Sequence, residues 1–260
     1  MKVEDIMSKD PLFVKDHEYV THARQIMRDY FLRGLPVVDD SNRVVGIITD
    51  QDILNLRTNK SNVTVGGYVR ETPTITPDMD LLKAADLLIE SKESRAPVVR
   101  STTDKTLTGV ISNVEILENI PESSIPSKNV SSIMTTRVAT VHPDETVAKL
   151  WPNMIDWGYT GVPVVNDKEE IMGIVTRTDI IKSGHARIGA SDIDGTGARN
   201  SPKVEKIMST PLYTITPETK IGEAIGKLSR YNIGRICVSD GKRLVGIVDR
   251  HDLLNACLNR

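Results

Sequence analysis

Four stretches of this chain decide how it folds: GIITDQDIL (46–54), GVISNVEIL (109–117), GIVTRTDII (173–181) and GIVDRHDLL (246–254). Each reads as a Gly, a short apolar strand and then an acidic residue three positions after a Thr, Ser or Asp, opening an apolar helix. Working upstream, each is preceded by a second apolar strand: LPVVD from Leu35, APVVR from Ala96, VPVVN from Val162 and ICVSD from Ile236. Before that strand comes a helix whose apolar positions recur at offsets of zero, three and seven, the helical period. These are Val20, Ala23, Met27; Leu81, Ala84, Leu88; Val147, Leu150, Met154; and Ile221, Ala224, Leu228. A short strand ending in Pro and a small amphipathic turn complete the unit. The turn is Val3, Ile6, Met7; Val65, Tyr68, Val69; Val130, Ile133, Met134; and Val204, Ile207, Met208.

Self-similarity at a fixed spacing marks a repeat architecture, here with about 60 residues per unit. A unit that small buries only about 60% of its unfolded surface, so its helices are expected to pack on a neighbouring unit, consecutive repeats forming pairs. The boundaries read as residues 1–60, 61–122, 123–183 and 203–260, with a Gly-rich linker at 184–202 that carries little apolar periodicity.

Composition narrows the function classes. Apolar residues are 39%, charged residues 26% and the net charge is −2, the profile of an ordinary globular protein without a net positive field for a polyanion. Aromatics at 4% leave few stacking platforms for single strands, so nucleic acid is disfavoured. Cys237 and Cys257 have neither disulfide-framework nor metal spacing, and no apolar run reaches the roughly 18 residues of a membrane span. The expectation is a cytoplasmic protein with no membrane segment, no bound metal and, lacking GxSxG or HExxH, no enzymatic activity.

In order and register the four copies resemble CBS domains, two tandem pairs in one chain, similar in repeat number to the gamma subunit of AMP-activated protein kinase. The resemblance implies an α+β fold of four β-α-β-β-α repeats in two pseudo-two-fold pairs. It also implies disc-like dimers of modules, a homodimer included, and adenosyl ligands in the clefts between paired repeats. On that basis the ribose and phosphate ligands are Thr49 with Asp52, Ser112 with Glu115, Thr176 with Asp179, and Asp252 of the fourth repeat. A carboxylate at such a junction can accept from ribose hydroxyls, and a hydroxyl with free N–H groups suits a phosphate. The same residues also form helix-capping boxes, and both roles can coexist.

A second pattern precedes the PVV strand: Gly34, Arg95, Gly161, Arg235. Arg95 and Arg235 are read as phosphate contacts reaching a partner's cleft, since guanidinium matches phosphate oxygens. Arg177, Arg250 and His251 lie inside the junctions as weaker candidates. The ranking expects the third repeat, Thr176 and Asp179 with Arg235 lent by its partner, to be the best site, with Thr49 and Asp52 next. The fourth ranks last because Asp249 replaces a hydroxyl with a charge that repels phosphate. Trp151 and Pro152 suggest a partner-contact surface and Trp157 a core position. The expected role is a stand-alone sensor that binds AMP, ADP or ATP and signals to an unidentified regulated protein. The alternatives are another adenosyl ligand such as S-adenosylmethionine or a dinucleotide, or a scaffold or nucleic-acid-binding regulator with vestigial clefts.

Overall fold

The computed structural model describes residues 1–55, 63–183 and 201–258. Each quoted stretch is the second strand of an antiparallel hairpin and the start of the helix after it. The hairpins are β2 (Gly34–Val38) with β3 (Val44–Thr49), β4 (Arg95–Val99) with β5 (Leu107–Ser112), β6 (Gly161–Val165) with β7 (Ile171–Thr176), and β9 (Arg235–Asp240) with β10 (Arg243–Asp249). All four shift register by one residue at equivalent places, so each strand carries a bulge beside its anchor Gly. The upstream strand lies parallel on the hairpin, as β1 (Val14–Lys15) on β2 and β8 (Thr214–Ile215) on β9, and as the single bridges Ile75 to Val98 and Val141 to Val164.

The helices between the parallel strands are α1 (Val20–Asp29), α3 (Leu81–Ser91), α5 (Val147–Asp156) and α7 (Ile221–Arg230). All twelve residues of the apolar triplets are buried. The junction helices are α2 (Asp50–Asn55), α4 (Asn113–Glu118), α6 (Arg177–Lys182) and α8 (Arg250–Cys257). Of the 184–202 linker, residues 184–200 lie outside the described residues. Among the described residues no helix is long and apolar enough to cross a membrane.

Consecutive repeats do pair, but through strand edges rather than helices. The residue that follows each amphipathic turn exchanges two backbone hydrogen bonds with the partner's β-strand just past the anchor Gly: Ser8 with Val110, Arg70 with Ile47, Thr135 with Ile247 and Ser209 with Ile174, at 2.8–3.3 Å. This crossing explains the glycines. A Cβ on Gly109 would stand 2.7 Å from the Ser8 carbonyl and one on Gly173 2.9 Å from the Ser209 carbonyl, while one on Gly46 would run into Arg70 and Val69. Only hydrogen fits where the two backbones meet.

The turn itself is exchanged. Val3 donates its N–H to Met79 and packs with Leu81 and Leu88 of the second repeat, and Val65 donates to Glu18 and joins the core of the first. Val130 and Val204 do the same for the fourth and third repeats. Each turn therefore completes its partner's core.

The helices pack across modules, which corrects the expectation that the third and fourth repeats bury their helices on each other. The second and fourth repeats share one continuous core, in which Leu88, Ile116 and Leu117 lie with Ile221, Leu228, Leu253 and Leu254. The first and third keep separate cores, and between them stand the Arg177–Asp50 pair and Lys182, whose Nζ lies 4.2 Å above the Phe31 ring. The tryptophan readings are corrected too. α5 runs through Pro152, and Trp151, one turn beyond Val147 on the apolar face, is buried in the third repeat's core. Trp157 caps the helix from outside that face and is 45% exposed against Tyr159.

The exchange of turns has a direct test. Val3→Ala removes two buried methyl groups and is expected to cost about 2 kcal/mol. The accompanying rise in hydrogen exchange should fall on α3, β4 and β5 of the second repeat rather than on α1, β2 and β3 of its own.

Candidate functional site

At each junction the strand ends extended and the next three residues start a helix, leaving orphan N–H groups that the carboxylate and hydroxyl satisfy. The backbone N–H of Thr49 donates to Asp52 Oδ2 at 2.8 Å, and its hydroxyl donates to the same oxygen at 2.5 Å. Thr176 does so toward Asp179 at 2.7 and 2.6 Å, and Ser112 toward Glu115 through both groups. One oxygen of each carboxylate is thus consumed by capping. The other faces the pair-partner residue that crosses the anchor Gly: Ser209 Oγ donates to Asp179 Oδ1 at 3.1 Å, and Arg70 Nε lies 3.9 Å from Asp52 Oδ1.

The first cleft is therefore lined by charge. Arg70 also pairs with Glu93 at 3.2 Å, and burial raises the Glu93 pKa despite that cation. The fourth junction differs again. Asp249 Oδ1 accepts from the N–H groups of His251 and Asp252 at 2.8 and 3.1 Å, while Asp252 Oδ2 accepts from the Asp249 N–H at 2.9 Å. Burial, then the neighbouring Asp249 charge, pushes the Asp252 pKa up to about 6.

A cavity of about 180 Å³ opens at this fourth junction, its lining including Asp249, Asp252, Arg137, Arg235, Tyr159 and Thr160. Arg235 reaches the third repeat, as expected of an arginine lent to Thr176 and Asp179, lying against Gly161, the ladder partner of Thr176, and it also lines this cavity. Arg235 pairs with Asp249 across the β9–β10 ladder, donates through Nη2 to Thr160 Oγ1 and is acted on by the Asp249 charge. Its guanidinium lies where a Gly161 side chain would be, with Nη1 2.6 Å from an added Cβ. Arg95 lies likewise against Gly34, donating to its carbonyl at 3.2 Å. The Gly and Arg alternation is thus a packing match between paired repeats as well as a supply of cations.

The junctions of the first and third repeats face each other across the modules. The residue after each cap, Asp50, Asn113, Arg177 and Arg250, donates its backbone N–H to Arg33, Ser94, Thr160 and Gly234. The side chains of Asp50 and Arg177 meet across the modules. Arg177 Nη1 lies 3.6 Å from Asp50 Oδ1 with both side chains more than 90% buried, donates to Gln51 Oε1 at 3.3 Å, and its Nε donates to the Tyr159 carbonyl at 2.9 Å. Arg33 reaches from the first repeat to Gly234 of the fourth. Among the described residues, three buried guanidinium nitrogens here have no hydrogen-bond partner: Arg177 Nη2, Arg235 Nε and Arg250 Nη2. Burial lowers the pKa of all three arginines, that of Arg235 to about 10, and raises that of Asp50 against the pull of Arg177 and Arg33. Sequence reasoning missed Arg33 and Asp50. The only signal for Asp50 was its shared register with Arg177 and Arg250.

With this geometry in view, the comparison with known proteins is direct. The CBS domain matches residues 3–59, 65–122, 130–185 and 204–259. The chain belongs to the CBS domain family, with four copies. Protein MJ1404 of Methanocaldococcus jannaschii is 27% identical over 97% of this chain, which spans 61% of that relative. Protein MJ1232 of the same organism is 37% identical over 55% of this chain, which covers 45% of it. The crystal structure of protein MJ1225, also from that organism and related by its description to g-AMPK, superposes with a TM-score of 0.82 over 98% of this chain and 99% of its own at 23% identity. A Pyrococcus horikoshii protein superposes at 0.68 over 99% and 100%. Both share the four-repeat fold.

The Asp252 shift has a stability consequence. A carboxyl that holds its proton more tightly folded than unfolded destabilises the fold once ionised, so its penalty is present above pH 6 and fades as pH falls toward 4. Asp252→Asn is therefore expected to raise the melting temperature at pH 8 and to raise it less at pH 4. Equal gains at both would place the effect elsewhere.

Proposed function

We propose that this CBS-domain protein is a regulatory ligand sensor rather than a catalyst. It binds an adenine nucleotide with the base and ribose in a cleft between paired repeats and the phosphate among the central arginines. The observation that carries the reading is the set of unpartnered guanidinium N–H groups on Arg177, Arg235 and Arg250. An unmatched buried donor on a charged group is costly, and a phosphate supplies up to three strong acceptor oxygens and a balancing charge.

The fourth cleft is the leading site, inverting the ranking made from sequence. It has the cavity, Asp252 for the ribose hydroxyls and Arg235 beside it to offset Asp249. Asp179 and Asp52, with Thr176 and Thr49, remain candidate ribose ligands in the clefts where Ser209 and Arg70 now occupy the free oxygen. Glu115 and Ser112 are the second repeat's equivalent, next to Arg95. The signal then passes to a regulated partner as a change in how the two modules sit, which a ligand can bias only through its differential affinity for the two arrangements.

A second reading, an adenosyl ligand without a phosphate such as S-adenosylmethionine, is favoured by one feature: the Asp249 carboxylate at a register where the other three junctions carry a hydroxyl.

Thermal shift and calorimetry with AMP, ADP, ATP and S-adenosylmethionine test the proposal. A ligand at roughly 100 times its dissociation constant stabilises the native state by about 2.7 kcal/mol. We expect a melting-temperature rise with at least one of the three nucleotides and loss of the tightest binding event in Asp252→Ala. If all four leave the wild-type melting temperature unmoved, the sensor reading fails. If Asp179→Ala removes that event and Asp252→Ala does not, the site moves to the third repeat.

A further inference from the structure

We infer that Asp50 is a built-in competitor for the central anion site, holding Arg177 across the module boundary in the position that a ligand phosphate takes. The inference rests on the phosphate reading of the arginine cluster and adds to it a residue that opposes binding and ties occupancy to module contact.

Arg33, Arg177 and Arg235, from the first, third and fourth repeats, act on one another; Asp249 is a second carboxylate beside Arg235, Glu118 and Glu115 act on Arg250, and the carboxylate paired with Arg177 across the modules is Asp50. Its charge acts on Arg177 and Arg235, and Arg177 and Arg33 act on it in turn. It does not saturate the cluster. The pair with Arg177 is single-pronged, Nη1 to Oδ1 at 3.6 Å, and Nη2 of the same guanidinium stays unpartnered and buried. A carboxylate carries one charge, whereas a terminal phosphate carries about −1.5 to −2 near neutral pH.

A phosphate approaching Arg177 Nη2 also approaches Asp50. Between buried like charges the repulsion is weakly screened, so the two anions compete for one guanidinium. Arg177 does not need Asp50 to stay in place, because Nε is held by the Tyr159 carbonyl and Nη1 by Gln51. Entry of the phosphate therefore exchanges the Asp50 contact for a ligand contact. That contact belongs to the boundary between the first and third repeats, where the cores are separate. The second and fourth repeats share one apolar core and are also tied by Ser229 Oγ, which donates to Glu118 Oε1 at 2.7 Å. Ligand binding thus loosens one side of the module interface and leaves the other intact.

The register supplies a conservative variant. Asn113 occupies the place of Asp50 in the second repeat and is equally buried, so Asp50→Asn is compatible with the local fold, and Asp50→Ser serves as a smaller neutral control. Calorimetric titration of the full chain with AMP and with adenosine, for wild type and both variants, is the test. We expect AMP affinity to rise about tenfold in both variants, inside the roughly 5- to 150-fold range of typical site coupling, with adenosine affinity unchanged. AMP affinity that stays the same or falls overturns the inference, and so does an equal rise for adenosine, which would place the effect outside the phosphate site. If neither AMP nor adenosine binds any of the three proteins, the nucleotide reading itself fails and this inference falls with it.

Discussion

The backbone crossing over the anchor glycines is the constraint on which the rest of the structure depends. At Gly46, Gly109, Gly173 and Gly246 the chain following a partner's turn comes close enough to exclude a side chain, and the paired hydrogen bonds beside each Gly fix the register of one repeat on the other. Because the turn before the crossing has left its own repeat to fill the partner's core, neither member of a pair is complete alone. The same crossing sets the chemistry of each cleft. The residue delivered beside the junction is Arg70 at Asp52, Ser209 at Asp179 and Thr135 at the cavity of Asp252, so these carboxylates face a cation, a hydroxyl and an open cavity in turn.

The centre of the molecule follows from the junction geometry. Each helix cap fixes the residue that follows it, and in the first and third repeats those residues, Asp50 and Arg177, meet across the modules. Placing several guanidinium groups out of water is costly even with Asp50 and Asp249 beside them, since burying a charge is tolerated only with pairing and hydrogen bonds. The apolar core shared by the second and fourth repeats supplies the favourable burial that holds the modules together regardless. The fold thus stabilises a centre that is not self-satisfied, as expected where stability is given up locally to bind something.

Most of the architecture was legible in the sequence because repetition multiplies weak signals. The helical triplets, the PVV strands and the capping junctions all fall where four aligned copies place them, and the family match covers the same four units. What the repeat pattern does not carry is which faces meet. Apolar periodicity says that a helix face is buried but not against which partner, so the packing of the second repeat on the fourth and the exchange of turns needed coordinates. The candidate site divides the same way. The carboxylates and the alternating arginines were visible as motifs, whereas Arg33 and Asp50 matter only because the modules face each other across them. Trp151, read with Pro152 as a partner contact, is instead core because the helix continues through the proline and keeps Trp151 on its buried face.

The central claim is that the arginine cluster and the fourth cleft together hold a phosphate-bearing adenosyl ligand. A crystal structure of the full chain grown with AMP tests it most directly. The account predicts adenosine in the cavity beside Tyr159 and Thr160, its ribose hydroxyls on Asp252, and phosphate oxygens on Arg177, Arg235 or Arg250. Saturating AMP with the cavity empty and those guanidinium groups still unpartnered would contradict it.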